Sequence, residues 1–568
     1  MSGAAAIETS EQNPRAGRIR LLFWVVGLAV SVVQGWVARH DVMLDGVAYL
    51  DLARALAGGD WRAFVNSYWS PGYPALLALA LRLLPAPGVG IFLLPRLVNV
   101  FIFAAMMAAF ELYWRELGAL RARAGGFPAW AWQVFGYSLF LWTALGAIGT
   151  WIIEADGLMA VFLLLAAALL LRVRRTGRWA DFALWGIVLG AAYLAKVAMF
   201  PIALLMMTLV AIGGWRDLRR IAPPLLLAAV IFALLAAPWM GAMRARYQRW
   251  TFGDSAALNY AWFVNGVQMW FHWQGGPPGR GMPLHPARQI WERPEAFEYA
   301  TPVGGTFPLW DDPGYWYAGV EPGFNWREQA DALLLNLKRF PYRSQMGVVA
   351  AFLLLAGMAW RDGSLTRIFA TAWPVWLAGA AGIGMLMLVH AEPRHLGGLL
   401  LLFWSGLFAG VELSQRRVMV GALLLAAVSF QGAVVFLTLR AYRETELSRQ
   451  QFLITQSMPQ ALGRAGIVSG DPLVSVGGEA YYWVLPAQVR VVGDIEEGEV
   501  MAFWHLTSAR RAELLAKFAA TGAKAVVAGP ITMQAAPAGA RVGWQPLGDT
   551  GFALYPLRAA KVSSTSPK

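Results

Sequence analysis

The sequence contains no cysteine and few charged residues. Cysteine is absent from all 568 residues, which excludes disulfide bonds, thiolate nucleophiles and cysteine-based zinc or iron–sulfur sites. Only 14% of the residues are charged and 58% are hydrophobic, whereas a soluble domain normally carries about a quarter charged residues. Several apolar runs approach or exceed the roughly 20 residues that cross a bilayer. These features predict a polytopic membrane protein.

The net charge of +13 does not indicate binding to nucleic acid. The Lys and Arg residues cluster in short loops between apolar runs, for example at 172–178 and 216–220. Positive charge in short loops marks the cytoplasmic side of a membrane protein. We therefore expect the N-terminal tail, which carries Arg15, Arg18 and Arg20, to be cytoplasmic. The first apolar run lacks a small-residue cleavage site, so we expect it to be a retained anchor.

Hydropathy predicts about eleven membrane spans. They lie at 21–37, 94–113, 129–148 and 157–171, on either side of Lys196, at 221–240 and 346–360, before and after His390–His395, and at 418–438. This division predicts a cytoplasmic tail (1–20), a transmembrane domain (21–440) with outer loops at 39–94 and 241–345, and a soluble domain (441–568). With this assignment every short cytoplasmic loop is basic, in agreement with the excess of Lys and Arg found in the cytoplasmic loops of membrane proteins.

The segments outside the spans also have predicted structure. Amphipathic helices are expected on the outer surface at 46–57 and 73–84 and before the eighth span at 326–339. In the last domain we predict helices at 446–464 and 508–520 and strands at 473–476, 489–492, 523–528 and 552–555. The alternation of strands and helices indicates a small α/β domain, which the span count places outside the cytoplasm. The predicted fold class is a polytopic α-helical membrane protein with a C-terminal extracytoplasmic α/β domain.

Charged residues near the outer ends of the spans are few and come from distant parts of the chain. They are Asp45, Glu154, Asp156, Lys196, Glu392, Arg394 and His395. Charges at membrane depth are costly and are usually paired or functional. Cations beside acids at one depth suit a reaction on an anionic lipid headgroup, because a cation holds phosphate and a carboxylate accepts a proton.

Several of these residues also have a purely structural interpretation. Asp45 is a candidate cap of the following helix, and Asp51 with Arg54 is most simply a solvent-exposed i,i+3 pair. Glu154 and Asp156 precede a span, where acids favour a helix N-terminus. Lys196 is a candidate for snorkelling to the surface, and Arg394 is a candidate for pairing with Glu392. His390 and His395 do not form a metal-binding signature. These alternatives remain open at this stage.

The order of motifs resembles a known superfamily. After the first span comes Asp45, then the helix motif Tyr-Leu-Asp-Leu-Ala-Arg (49–54), Gly-Asp-Trp (59–61) and the turn Tyr-Trp-Ser-Pro-Gly-Tyr-Pro (68–74). Glu-Ala-Asp (154–156), Ala-Lys (195–196) and Glu-Pro-Arg-His (392–395) follow later in the chain. Over about residues 20–415 this order resembles the GT-C superfamily of polyprenyl-phosphate-sugar-dependent glycosyltransferases, particularly protein O-mannosyltransferases and bacterial lipid A aminoarabinose transferases.

The resemblance implies an inverting transfer of a sugar from polyprenyl phosphate to an acceptor. Asp45 matches the first-loop acid of the family and would be the general base or position the acceptor hydroxyl. Lys196 and Arg394 would bind the departing phosphate, and Glu154 or Asp156 would support the acceptor side. If a divalent cation (Mg²⁺ or Mn²⁺) takes part, Asp45 and Asp156 are its expected ligands. The expected substrate-binding residues are Trp69, Tyr73, Glu392 and His395.

The sequence also departs from the family pattern. Gly46 stands where many relatives have a second acid, Val197-Ala198 replaces Gly-Pro after the lysine, and His395 replaces a tyrosine. We predict a glycosyltransferase of the bacterial inner membrane that acts on a glycan, lipid or protein acceptor outside the cytoplasm. The alternatives are a lipid or sugar transporter, or flippase, and a non-catalytic lipid-binding member of the same fold.

Overall fold

The computed structural model describes residues 14–39, 41, 43–84, 90–121, 127–269, 272–299, 303–412, 416–447 and 449–557. The first thirteen residues of the predicted cytoplasmic tail lie outside this part of the chain. The longer helices, of nine residues or more, are Pro14–Val37, Leu44–Ala57, Gly72–Leu83, Gly90–Arg121, Ala129–Leu141, Asp156–Thr176, Trp179–Ala195, Met199–Gly213, Leu218–Tyr247, Ser255–Phe263, Trp326–Arg339, Tyr342–Arg361, Trp373–Met387, Pro393–Ala409, Arg416–Leu447, Arg449–Arg464 and Ser508–Ala520.

Each of the predicted spans coincides with a helix or, for the third span, with an α-helix that continues as a π-helix over Trp142–Ile148. Within the described residues, seven helices are long and apolar enough to cross a membrane. The helices assigned to the fifth, sixth, ninth and tenth spans have only 15 to 17 residues, or about 23–26 Å at 1.5 Å per residue. The fold is that of a polytopic α-helical membrane protein.

Many apolar side chains of these helices are exposed on the protein surface. Leu226 and Leu234, for example, are 65% and 67% exposed. Such a surface is unfavourable in water and favourable in hydrocarbon. The helix Gly72–Leu83 has only 12 residues and is too short to span a bilayer. Its location on the membrane surface stays a prediction.

The described residues fall into two compact units. The first, which we call the membrane unit, comprises Met1–Ala38, Arg96–Arg244 and Phe324–Glu444. The second, which we call the sheet unit, comprises Arg39–Pro95, Ala245–Gly323 and Thr445–Lys568. The sheet unit thus joins the two predicted outer loops to the C-terminal residues.

The sheet unit is built on a seven-stranded sheet. Its strands are β1 (Arg288–Trp291), β2 (Ala296–Glu298), β3 (Pro472–Val476), β4 (Arg490–Ile495), β5 (Ala525–Ala528), β6 (Gln545–Pro546) and β7 (Ala553–Pro556). The order is β1-β2-β4-β3-β5-β7-β6, with β4-β3-β5 parallel and the outer pairs antiparallel. Apolar residues of the central strands pack with Phe503, Trp504 and Phe518 to form its core.

Four of these strands were predicted, namely β3, β4, β5 and β7. The helix Ser508–Ala520 was predicted with the same bounds. The sequence did not predict β1 and β2, which lie in the long loop after the seventh span. They have only four and three residues, so no alternation of polar and apolar residues can develop over them. Strand β2 pairs with β4 and strand β1 pairs with β2, so this loop forms part of the sheet.

Candidate functional site

The candidate site lies in the membrane unit, where three helix ends meet. Asp156 is the first residue of the helix Asp156–Thr176, and Lys196 directly follows the helix Trp179–Ala195. Arg394 and His395 are in the first turn of the helix Pro393–Ala409. The chain therefore brings charges from three distant segments to one place, as the sequence predicts.

A close helix contact positions Arg394. The helix Pro393–Ala409 packs against the helix Trp373–Met387, and a Cβ atom at Gly379 would lie 2.7 Å from the Leu399 carbonyl oxygen and from the Phe403 nitrogen. Only glycine allows the two backbones to approach so closely. Small residues serve this purpose at helix contacts in membranes.

Both cations of the site form ion pairs with acids. Lys196 Nζ lies 2.5 Å from Asp156 Oδ1, and Arg394 lies 3.0 Å from Glu154 Oε1 through one terminal nitrogen. Arg394 Nε lies 3.0 Å from Glu392 Oε2 and 4.0 Å from Asp156 Oδ2. The structural interpretation of Arg394 as a partner of Glu392 is thus correct but incomplete, because the guanidinium also contacts Glu154.

Burial distinguishes the members of this cluster. The side chain of Asp156 is 2% exposed and that of Glu154 is 7% exposed, whereas Lys196 keeps 20% and Glu392 keeps 38% of its side-chain surface exposed. Buried ion pairs are costly to break, because removing one partner leaves an uncompensated charge. Lys196 is more exposed than its partner Asp156. Of these two residues, Lys196 is therefore the better placed to contact a ligand.

The two histidines extend the cluster on the side of Glu392. His390 Nε2 lies 3.0 Å from Glu392 Oε1, and Arg394 Nε donates to His395 Nε2 at 3.4 Å. The hydrogen bond with His390 lowers the pKa of Glu392 to about 2. Glu392 is therefore a carboxylate at neutral pH and helps to balance the charge of Arg394.

A small cleft of about 20 Å³ adjoins the ion pairs, which is room for about one water molecule. Its walls include Asn99, Thr150, Glu154, Asp156 and Arg394. The turn between the third and fourth predicted spans forms part of this wall. Gly149 in this turn has φ +78°, a conformation that favours glycine.

Polar side chains inside the first two spans hold this turn, and they were not predicted from the sequence. Asn99 donates to the carbonyl oxygens of Thr150 (3.3 Å) and Ile152 (2.6 Å). Gln34 accepts from the Thr150 backbone at 3.2 Å and donates to the Leu145 carbonyl oxygen at 2.9 Å. A buried amide in an apolar span is a signal for such a role, because it must find hydrogen-bond partners there.

Asp45 lies in the sheet unit, in the first turn of the helix Leu44–Ala57. Met43 occupies the capping position, so the interpretation of Asp45 as the helix cap is wrong. Its Oδ1 accepts a hydrogen bond of 2.9 Å from the Trp310 indole nitrogen. The acid is thus held at a defined position by a residue of the long loop.

Asp51 is also buried, and the interpretation as a solvent-exposed pair with Arg54 is wrong. Its side chain accepts from the backbone and hydroxyl of Thr306 at 2.7 and 2.8 Å, and the residue is 8% exposed. Burial raises the pKa of Asp51. Arg54 donates instead to the Leu485 carbonyl oxygen at 3.1 Å.

The predicted substrate-binding aromatics are core residues of the sheet unit in this conformation. Tyr73 is fully buried and Trp69 is 6% exposed. Both rings contact Tyr49, with centroid distances of 5.2 and 4.9 Å. Their contact with substrate, like that of Glu392 and His395, stays a prediction.

The donor groups of the cluster do not fit a divalent cation. No group of three or more acidic or histidine side chains in the described residues has metal-binding geometry. Asp156 and Glu154 already lie against Lys196 and Arg394, and the positive charge of these residues opposes that of a metal ion. We therefore derive no step that uses a metal from this cluster.

No protein-family model and no curated protein matches the sequence. Among solved structures, the chain is similar to ArnT from Cupriavidus metallidurans in two states, apo and bound to undecaprenyl phosphate. The TM-scores are 0.54 and 0.56, the sequence identity is 13%, and each comparison covers 96% of this chain and 99% of the other. The likeness extends through the C-terminal domain and confirms the GT-C-like fold expected from the resemblance.

Proposed function

We propose that the protein is an inverting membrane glycosyltransferase that uses a sugar linked to polyprenyl phosphate. The observation that carries the proposal is that two cations, Lys196 and Arg394, lie against Asp156 where two helices begin, Asp156–Thr176 and Pro393–Ala409. Arg394 also lines the small cleft. A helix N-terminus favours an anion through its unpaired backbone N–H groups and its dipole. The undecaprenyl phosphate bound to one ArnT structure supports a lipid phosphate as the ligand.

In the proposed reaction, an acceptor hydroxyl attacks the anomeric carbon of the sugar. A bond forms between the acceptor oxygen and this carbon, and the bond from the carbon to the phosphate oxygen breaks. Polyprenyl phosphate leaves with the electron pair, and Lys196 and Arg394 stabilise its increasing negative charge. Asp45 takes the proton of the acceptor hydroxyl, the role that the family resemblance implies.

Glu154 and Asp156 have a different proposed role from the acceptor-side role first expected. Because they contact Arg394 and Lys196, we propose that they hold the two cations in position. The ammonium of Lys196 carries three N–H donors, and the contact with Asp156 uses one of them. A phosphate oxygen is thus able to bind Lys196 without displacing Asp156.

We propose a multi-pass location in a bacterial cytoplasmic membrane, with the N-terminus inside and the sheet unit outside. The basic loops support this orientation. The acceptor would then be a glycan, lipid or protein outside the cytoplasm. The proposal keeps the three predicted domains, a cytoplasmic tail (1–20), a transmembrane domain (21–440) and a C-terminal domain (441–568).

A transfer assay tests the proposal. Purified protein in lipid vesicles is given a panel of polyprenyl-phosphate sugars (mannose, glucose and aminoarabinose forms) with envelope extract as acceptor, and released polyprenyl phosphate is measured. We expect release by the wild type and at least a 100-fold loss in Asp45→Asn, since general-base catalysis contributes about 10²–10⁴-fold. Asp60→Asn, an exposed acid that caps a short helix, is the matched control and should retain activity.

Other outcomes would identify the alternatives. Donor binding without release, unchanged by Asp45→Asn, would indicate a non-catalytic lipid-binding protein. Movement of the intact donor across the vesicle membrane would indicate a flippase. A parallel reaction with chelator tests the metal, and loss of activity that Mg²⁺ or Mn²⁺ restores would assign a divalent cation to the reaction.

A further inference from the structure

The long loop of the sheet unit contacts the helix that carries Asp45 at two points. We call residues 303–316 the tryptophan loop. Thr306 donates two hydrogen bonds to Asp51, and Trp310 donates one to Asp45. The two acids belong to one helix, Leu44–Ala57, so the loop and the helix are fixed to each other.

The indole of Trp310 is held by the protein around it. The residue is 8% exposed, and its ring stacks on that of Trp262 with a centroid distance of 5.8 Å and an interplanar angle of 23°. Trp69 donates to the Trp310 carbonyl oxygen at 3.2 Å. These contacts, and not the carboxylate, set the direction of the Trp310 N–H group.

We infer that Trp310 is a positioning residue for Asp45, because its indole N–H fixes the orientation of the carboxylate. The inference rests on the proposed function, in which Asp45 is the general base. A carboxylate that keeps one orientation loses less entropy when it engages the acceptor hydroxyl.

The consequence is that the tryptophan loop controls the base without supplying a catalytic group. Displacement of the loop would remove the hydrogen bond from Trp310 to Asp45. Removal of the N–H alone should therefore lower the turnover number and leave the affinity for the donor unchanged.

The experiment compares two tryptophans of the same loop. Trp316 is 6% exposed and donates from its indole nitrogen to the Pro308 carbonyl oxygen at 3.0 Å. Trp316→Phe thus removes an equally buried hydrogen bond from the loop without touching Asp45. Full-length wild type, Trp310→Phe, Trp310→His and Trp316→Phe are assayed in vesicles for kcat and for the donor KM, and their melting temperatures are compared.

For Trp310→Phe we expect kcat to fall about tenfold with an unchanged donor KM. Trp316→Phe should keep the wild-type kcat even if its melting temperature falls. Trp310→His, which retains a ring N–H, should recover part of the lost kcat.

Two results would overturn the inference, and they distinguish its failure from that of the proposed function. If the wild type transfers sugar and Asp45→Asn does not, but Trp310→Phe lowers kcat no more than Trp316→Phe does, Trp310 has only a structural role. If the wild type transfers no sugar from any donor, both the function and this inference fail. Trp310→Met, a flexible apolar replacement, is used if Trp310→Phe is not recovered folded.

Discussion

At the scale of single residues, the ion pair of Lys196 and Asp156 serves stability and function together. The pair joins the end of one helix to the start of another, and the Asp156 side chain is 2% exposed. Breaking a buried ion pair by removing one partner costs about 3–5 kcal/mol. A simple loss of activity after substitution of Lys196 would therefore not separate the two roles.

The first prediction at this scale concerns Lys196→Met. We expect kcat to fall about 10²–10³-fold, because removing one preorganised stabiliser of developing charge typically costs that much. The free energy of unfolding should fall as well, since the carboxylate of Asp156 is left without its cation. Both quantities are measured on the purified protein in detergent and in vesicles.

The double variant Lys196→Met/Asp156→Asn separates these effects. It removes both charges and should recover much of the lost stability without recovering turnover. Recovery of turnover together with stability would show that Lys196 is structural and would contradict the proposed phosphate contact. Lys338→Met, in the exposed part of the helix Trp326–Arg339, is the control for the loss of a positive charge.

At the scale of elements, the carboxyl end of β4 is acidic and leads to a prediction about pH. Burial, together with Asp494, Glu295 and Glu499, raises the pKa of Glu496 from its ordinary 4.5 to about 8. Between these two values the folded state binds more protons than the unfolded state. Stability therefore falls as pH rises from about 4.5 to about 8.

Replacement of Glu496 by Gln should remove this dependence. We expect the melting temperature of Glu496→Gln to exceed that of the wild type at pH 9 and to approach it near pH 4.5. The exposed neighbour Glu497 supplies the control, and Glu497→Gln should leave the melting temperature unchanged at both pH values. An equal difference between Glu496→Gln and the wild type at every pH would contradict the proposed titration.

Most of the helices and strands were predicted from the sequence alone. The spans, the helix Trp326–Arg339 and four of the five strands of the C-terminal domain were predicted, because long apolar runs and alternating patterns are local signals. The gathering of Glu154, Asp156, Lys196 and Arg394 was predicted as well, because all four stand at the predicted outer ends of spans. Strands β1, β2 and β6 were not predicted, because they have only two to four residues and depend on pairing with other strands.

Side-chain partners were the other feature that the sequence did not predict. The spacing of Asp51 to Arg54 indicated a surface residue. Asp51 is instead buried and hydrogen-bonded to Thr306, which lies 255 positions later in the chain. The bond between Asp45 and Trp310 joins residues that are 265 positions apart. Such contacts arise from tertiary packing, and no local pattern in one sequence encodes them.

At the scale of the whole molecule, the lack of cysteine makes the orientation in the membrane directly testable. The chain has no thiol, so a single introduced cysteine is the only site for a maleimide. Exposed positions exist in the proposed outer segments, at Glu321 and Ser508, and in the proposed cytoplasmic loops, at Asp217 and Asp362. None of these side chains belongs to the candidate site.

We expect a membrane-impermeant maleimide to label Glu321→Cys and Ser508→Cys in spheroplasts. Asp217→Cys and Asp362→Cys should react only after lysis, because their loops carry the basic residues that stay in the cytoplasm. The wild type, without cysteine, gives the background. The opposite pattern would place the sheet unit, and with it Asp45, in the cytoplasm and would require an acceptor on that side. Labelling of all four positions in the predicted pattern would instead restrict the acceptor to molecules outside the cytoplasm.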